Sequence, residues 1–161
     1  MKPCAVLMVC MGNICRSPTA EGVLRDKLAR AGLADKVVVD SAGTHAWHEG
    51  EPPDPRSVRH ARQRGYDIAG LRARPVLDAD FERFDLILAM DSDNLGLLQE
   101  RCPTQHQGKL GRLAAHGRRH AGTSVPDPYS GGAAGFERVL DLIEDACDGL
   151  VVHLAGRLGR N

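Results

Sequence analysis

A cysteine and an arginine six positions apart frame the stretch Val9-Cys10-Met11-Gly12-Asn13-Ile14-Cys15-Arg16-Ser17-Pro18. An apolar run, Ala5 to Val9, precedes it and reads as a buried strand. An amphipathic run, Ala20 to Ala31, follows it and reads as a helix. Cys10 therefore ends a strand, Met11 to Cys15 form a tight loop, and Arg16 to Pro18 open a helix. Ser17 is the expected N-cap, and Pro18 suits the first helical position, where a missing N–H costs nothing. Backbone N–H groups of such a loop converge on one point, with the positive end of the helix dipole behind them. That point is an anion site. Gly12 allows close approach of the backbone, and Asn13 tolerates a left-handed conformation.

A thiol at the rim of that site, near a guanidinium, is favoured as its thiolate. The planar fork of Arg16 matches two phosphate oxygens. A thiolate beneath a phosphate clamped by arginine is the equipment for phosphoryl transfer through a phosphocysteine. Met11 to Ser17 would line the phosphate, and the Ser17 hydroxyl is placed to stabilise the thiolate. A structural cysteine at a strand end is the simple alternative. It leaves Gly12, Asn13, Arg16, Ser17 and Pro18, in that order, without an explanation.

Val125-Pro126-Asp127-Pro128-Tyr129 is the second chemical element. Two prolines lock the backbone around one carboxyl group. Cleavage of a phosphate ester needs a proton for the leaving oxygen. A carboxyl beside a bound dianion holds its proton more readily, so Asp127 can serve first as acid and then as base. A plain Asp-Pro turn is the alternative. Trp47, the only tryptophan, lies in the polar, glycine-flanked run His45 to Gly50, which points to an exposed position; His45 and His48 read as solvated. Asp91-Ser92-Asp93-Asn94 lacks the glycine and the terminal glutamate of a calcium loop and reads as a helix cap.

The elements that position these groups follow from periodicity. Strands are expected at Cys4–Cys10, Val37–Ser41, Phe84–Met90 and within Lys109–Ala114. Helices are expected at Ser17–Ala31, Pro55–Arg64 with Asp54 as cap, Asp78–Glu82, Asn94–Glu100 and Ala134–Gly156. The pattern predicts a doubly wound α/β domain: a four-stranded parallel sheet, helices on both faces, and the anion loop after strand 1. The 161 residues suit one domain, residues 1–161. With 21 basic and 21 acidic residues there is no broad basic face for nucleic acid. No apolar run is long enough to span a membrane, and Met1-Lys2-Pro3-Cys4 does not open a signal peptide. Five cysteines argue against a disulfide framework, so a reducing, cytoplasmic setting is expected. Cys4, Cys102 and Cys147 read as core.

Cys10 to Glu21 (CMGNICRSPTAE) resembles the low-molecular-weight protein tyrosine phosphatases, and so do Asp40 to Gly43, Trp47, Pro53 to Arg56, Asp80 to Asn94 and Val125 to Tyr129. The resemblance implies hydrolysis of protein phosphotyrosine, with Cys10 as nucleophile, Arg16 as phosphate clamp and Asp127 as acid and base, and with no metal or cofactor. It implies that Trp47 and Tyr129 wall the cleft, and that Cys15 forms a reversible bridge with Cys10 against over-oxidation. It implies phosphoprotein substrates, a cognate tyrosine kinase as a partner, and inorganic phosphate as product and inhibitor. Arg72 and Arg74 resemble a basic pair of the family. Two positions depart from the pattern. Leu71 stands where many members carry a histidine that buttresses the loop asparagine, and Ser130 stands where a second tyrosine is common. Three rivals share parts of this pattern. An arsenate reductase would need further relay cysteines and no Asp127. A protein-arginine phosphatase would carry threonine at Ile14. A silent phosphate-binding module would lack one of Cys10, Arg16 or Asp127.

Overall fold

The computed structural model describes residues 3–122 and 124–159; the reading of Met1 and Lys2 lies outside them. Four parallel strands, β1 (Cys4–Cys10), β2 (Val37–Gly43), β3 (Leu86–Ala89) and β4 (Leu110–Arg112), form one sheet in the order β2-β1-β3-β4. Among the described residues, five helices accompany them: α1 (Arg16–Arg30), α2 (Pro55–Gln63), α3 (Asp80–Arg83), α4 (Ser92–Arg101) and α5 (Ala133–Gly159). Two 3₁₀ turns, Thr104–Lys109 and Leu113–His116, flank β4.

The central strand explains the two-sided architecture. Alternate residues of β1 point to opposite faces, so a continuous apolar run needs cover on both. Val6 and Met8 pack into a core with Val23 and Leu24 of α1 and Ile143, Cys147 and Leu150 of α5. Leu7 and Val9 pack into the other with Phe81, Phe84 and Leu98, from α3, its flank and α4. Cys4, Cys102 and Cys147 are buried, as expected. The chain leaves β1 for β2 on one side and later reaches β3 on the other. The carboxyl end of β1 thus lies at the point where the winding reverses, the usual place for a ligand in an open α/β sheet.

Several expected boundaries change, β3 among them, which spans Leu86–Ala89 only. The N-cap of α1 is Cys15 rather than Ser17, with no side-chain cap, and Pro18 lies within the first turn. Proline is tolerated there because the first N–H groups of a helix have no partner inside it. Strand β2 continues to Gly43 because Ala42 and Gly43 still pair with Val9 and Cys10 of β1, Gly43 also bridging Pro75, and α5 runs on to Gly159. Asp54 and Asp91 cap α2 and α4 through the backbone N–H groups of Arg56 and Asn94.

Helix α5 touches the second 3₁₀ turn through a bare backbone. A Cβ at Gly149 would stand 1.8 Å from the carbonyl oxygen of His116. Gly149→Ala should therefore destabilise the fold by about 1–3 kcal/mol, as overpacking does. Thermal unfolding should show a fall of roughly 2–4 °C for each kcal/mol. An unchanged midpoint would mean that α5 and the turn are not held in this contact.

Candidate active site

Cys10 ends β1 at 2% exposure, and the loop behind it is gripped from outside through its carbonyls. The N–H groups of Thr44, His45 and Asp54 donate to the carbonyls of Cys10, Met11 and Ile14, at 2.9, 3.0 and 2.8 Å. Among the described residues, the backbone N–H groups of Gly12, Asn13, Ile14 and Cys15 donate to no protein acceptor. Gly43 makes this seat possible: a Cβ there would meet the Met11 carbonyl oxygen at 2.7 Å.

Asn13 is the hub of the loop. It takes φ of +58° and is 2% exposed. The Arg74 backbone N–H donates to its Oδ1 at 3.0 Å, which fixes which end of the amide is oxygen. Its Nδ2 then donates to the hydroxyls of Ser17 at 2.8 Å and Ser41 at 3.0 Å, using both amide hydrogens. The Ser17 hydroxyl therefore accepts from Asn13 and has its own proton to give. The Cys10 sulfur stands 3.0 Å away, nearer than the Ala42 carbonyl at 3.5 Å. Ser17 also directs its backbone N–H at the sulfur from 3.5 Å. The Ser41 hydroxyl donates to Glu21 Oε1, at 2.7 Å. Burial pushes the Glu21 carboxyl up, against the Ser41 hydrogen bond and the Arg25 charge. Leu71, in the place of a buttressing histidine, packs instead against the α1–α5 core; Ser41 and the Arg74 backbone support Asn13.

Arg16 is 2% exposed. Its Nη1 donates to Asp91 Oδ2 at 2.5 Å and to the Val125 carbonyl at 3.0 Å, and its Nη2 lies 3.9 Å from Asp127 Oδ2. One guanidinium thus touches the segments after β1, after β3 and before α5. The cleft above the loop is lined by Cys10, Met11, Gly12, Ile14, Cys15 and Arg16 at its floor and by Trp47, His48, Asp127 and Tyr129 at its walls. Trp47 is 65% and Tyr129 52% exposed, and His45 stacks on Trp47 with centroids 4.2 Å apart. His48, expected to be merely solvated, joins the wall and pairs with Glu51 at 2.6 Å. Cys15 shares the floor but is a different thiol: burial pushes it up to about 12, Ser57 works against this, and Asp54, Cys10 and Asp127 add to it. Arg74 sits half-buried between Asp40 and Asp80, whereas exposed Arg72 bonds only local carbonyls.

Residues 5–160 match the family described as low molecular weight phosphotyrosine protein phosphatase. The chain belongs to this family. Among its relatives, the low molecular weight protein-tyrosine-phosphatase of Streptomyces coelicolor is 43% identical over 149 residues, covering 91% of this chain and 90% of that one. YfkJ of Bacillus subtilis, of the same description, is 39% identical over 150 residues, 93% of this chain and 95% of that one. A crystal structure of a protein tyrosine phosphatase from Entamoeba histolytica, with Hepes in its active site, superposes with a TM-score of 0.92 at 43% identity, covering 95% of this chain and 97% of that one. This low molecular weight phosphatase is accordingly a hydrolase of phosphotyrosine.

The sequence pointed to every residue of the floor and to Trp47, Asp127 and Tyr129. It missed the Asp91 partner of Arg16, the Glu21 end of the Asn13 network, His48, and Arg56, which binds the exit of the Asp127 loop. Asp91 had a usable signal: it follows a strand parallel to β1, so it emerges at the same sheet edge.

Asp91→Asn should keep the helix cap, since asparagine caps as well as aspartate. It leaves Arg16 without its near countercharge. Breaking a fully buried pair costs about 3–5 kcal/mol, and the 24% exposure of the Asp91 side chain sets the expectation below that range, at about 2–3 kcal/mol. Urea unfolding measures it. A loss under about 0.5 kcal/mol, the size of an ordinary surface substitution, would show that the pair does not stabilise the buried cation.

Proposed function

We propose that this chain is a single catalytic domain, residues 1–161, which hydrolyses protein phosphotyrosine through a phosphocysteine. The observation that carries the reading is the Cys10 sulfur at the cleft floor, 3.0 Å from a hydroxyl with a proton to give, below Arg16 and Asp127. Cys10 attacks phosphorus as a thiolate. The S–P bond forms as the P–O bond to tyrosine breaks, and Asp127 gives its proton to the departing phenolate oxygen. Asp127, now a carboxylate, takes a proton from water as that water attacks phosphorus. The S–P bond breaks and inorganic phosphate leaves, the Ser17 hydroxyl stabilising the returning thiolate. Arg16 and the free N–H groups of Gly12 to Cys15 meet the charge on the phosphoryl oxygens. Met11 and Ile14 complete the cradle, and Trp47 and Tyr129 flank the phenyl ring.

Arg16 and the backbone dipoles supply the positive field, so the reading invokes neither metal nor cofactor. Phosphate, the product, fits the same cradle and inhibits. Substrates are phosphoproteins made by a tyrosine kinase, and nucleic acid has no part. Among the described residues, no helix is long and apolar enough to cross a membrane. A cytoplasmic location suits a free thiolate.

Phosphate release from a phosphotyrosine peptide in EDTA tests the roles. Cys10→Ser should abolish turnover. Asp127→Asn should lower it by about 10²–10⁴-fold, the usual contribution of a general acid. A phosphoarginine peptide should stay intact. Turnover by Cys10→Ser, or loss of wild-type activity in EDTA, would sink the mechanism.

The second role of Cys15 is redox. Peroxide oxidises Cys10 to a sulfenic acid, releasing water. The Cys15 thiol then displaces a second water and closes a disulfide, which external thiols reduce. After brief peroxide treatment, wild type should regain activity with dithiothreitol, and mass spectrometry should find the bridge. Cys15→Ser should pass to the sulfinic acid and stay inactive. Equal recovery by both proteins would remove Cys15 from protection.

A further inference from the structure

Asp127 sits on a loop with little to hold it. Its side chain is 47% exposed, and two neighbouring prolines lack N–H groups. The loop is fastened at its entry: Val125 donates its N–H to the Met90 carbonyl at 2.7 Å and accepts from Arg16. Its exit is fastened by one side chain from a different element. Arg56, in the first turn of α2, donates from Nη2 to the Tyr129 carbonyl at 2.7 Å and from Nη1 to the Gly131 carbonyl at 3.3 Å. Its guanidinium carbon lies 5.5 Å from the Tyr129 ring centroid and 4.7 Å from that of Phe136, at the start of α5.

The same guanidinium is locked on its other side. Asp54 Oδ1 accepts from Arg56 Nε at 3.1 Å, and Oδ2 accepts from Nη2 at 3.0 Å. Burial works to raise the Asp54 carboxyl, but hydrogen bonds from the Arg56 side chain and backbone bring it below the ordinary carboxylate value. Asp54 in turn gives its N–H to the Ile14 carbonyl in the anion loop, at 2.8 Å. At the far end, Tyr129 gives its N–H to Asp127 Oδ1, at 3.0 Å. A continuous path therefore runs from the anion loop through Asp54, Arg56 and Tyr129 to the Asp127 carboxyl.

We propose that Arg56 is a positioning residue for Asp127, setting the distance between the proton donor and the anion loop. The proposal rests on the reading of Asp127 as general acid. Arg56 binds the two carbonyls of the loop exit, and the Tyr129 peptide passes that position to the carboxyl. A misplacement near 1 Å can cost about 10²-fold in a catalytic step, so a modest shift of this loop is enough to matter.

The test separates positioning from a structural tie. Phenyl phosphate needs a proton for its leaving oxygen, whereas dinitrophenyl phosphate releases a stable phenolate without one. kcat/KM reports the step that cleaves the P–O bond. Arg56→Gln should lower kcat/KM for phenyl phosphate by about tenfold or more and leave dinitrophenyl phosphate within about twofold. Added to Asp127→Asn, it should lower phenyl phosphate cleavage by less than about twofold, since the proton donor is already gone. An equal loss on both substrates, or the full loss on top of Asp127→Asn, would overturn the proposal. Asp127→Asn without a leaving-group-dependent loss would instead overturn the acid reading, and positioning with it. Should Arg56→Gln fail to fold by circular dichroism, Asp54→Asn answers alone. Asparagine keeps the cap of α2 but loses the charge that grips Arg56. It should show the same selectivity for phenyl phosphate, and a uniform loss would overturn the proposal.

Discussion

A guanidinium held almost out of water is the constraint on which the rest of the molecule depends. Arg16 at 2% exposure carries a full charge that cannot be shed. An isolated ion so placed would be too costly, so the fold brings a carboxylate and a carbonyl to it. Asp91 comes from the end of β3 and Val125 from the approach to α5. The parallel pairing of β1 with β3 makes the first of these contacts inevitable, because both strands end at the same edge. The arrangement leaves Nη2 facing the cleft, 3.9 Å from Asp127. Half of the fork is thus spent on the protein, and half faces the open cleft.

The same economy of donors governs the sulfur. Only one assignment of hydrogens satisfies Asn13. Its oxygen faces a backbone donor and its nitrogen faces two hydroxyls, so each serine must send its own proton onward. The Ser41 proton goes to Glu21; that of Ser17 has the Cys10 sulfur at 3.0 Å and the Ala42 carbonyl at 3.5 Å within reach. Two side chains that do not line the cleft thereby set the hydrogen-bonding environment of the Cys10 sulfur, which does. The left-handed backbone of Asn13 carries a conformational cost, and three hydrogen bonds offset it.

How much of this was legible beforehand depended on sequence distance. β1 is covered on both faces and leaves a continuous apolar run, and α5 leaves a long stripe at helical spacing; both were readable. β4 has three residues, all half-buried, and gives almost no pattern of its own. Ser17 was misread as an N-cap because serine before proline fits that pattern. Its hydroxyl is used by Cys10 and Asn13 instead, a demand that appears only when the loop closes. Cys10 and Arg16 were readable because one tight loop holds both. Asp91 stands 75 residues from Arg16 and Tyr129 stands 73 from Arg56, so neither pair could be inferred from spacing. Short-range chemistry was written in the motif; its long-range supports were written only in the topology.

The two cysteines of the loop show how local the control of reactivity is. Cys10 and Cys15 share one loop and one cleft. Cys10 faces a hydroxyl and a backbone N–H directed at its sulfur. Cys15 caps α1, the position from which a helix dipole should favour a thiolate. Burial nevertheless pushes its thiol up to about 12, with Asp54, Cys10 and Asp127 adding to the effect against a hydrogen bond from Ser57. Desolvation outweighs the dipole because a dipole worth about 0.3–1 kcal/mol is small beside the cost of baring a charge in the core. Burial and nearby carboxylates raise the Cys15 thiol, while the Cys10 sulfur, five residues away, meets a hydroxyl and a backbone N–H: one loop gives its two sulfurs opposite surroundings.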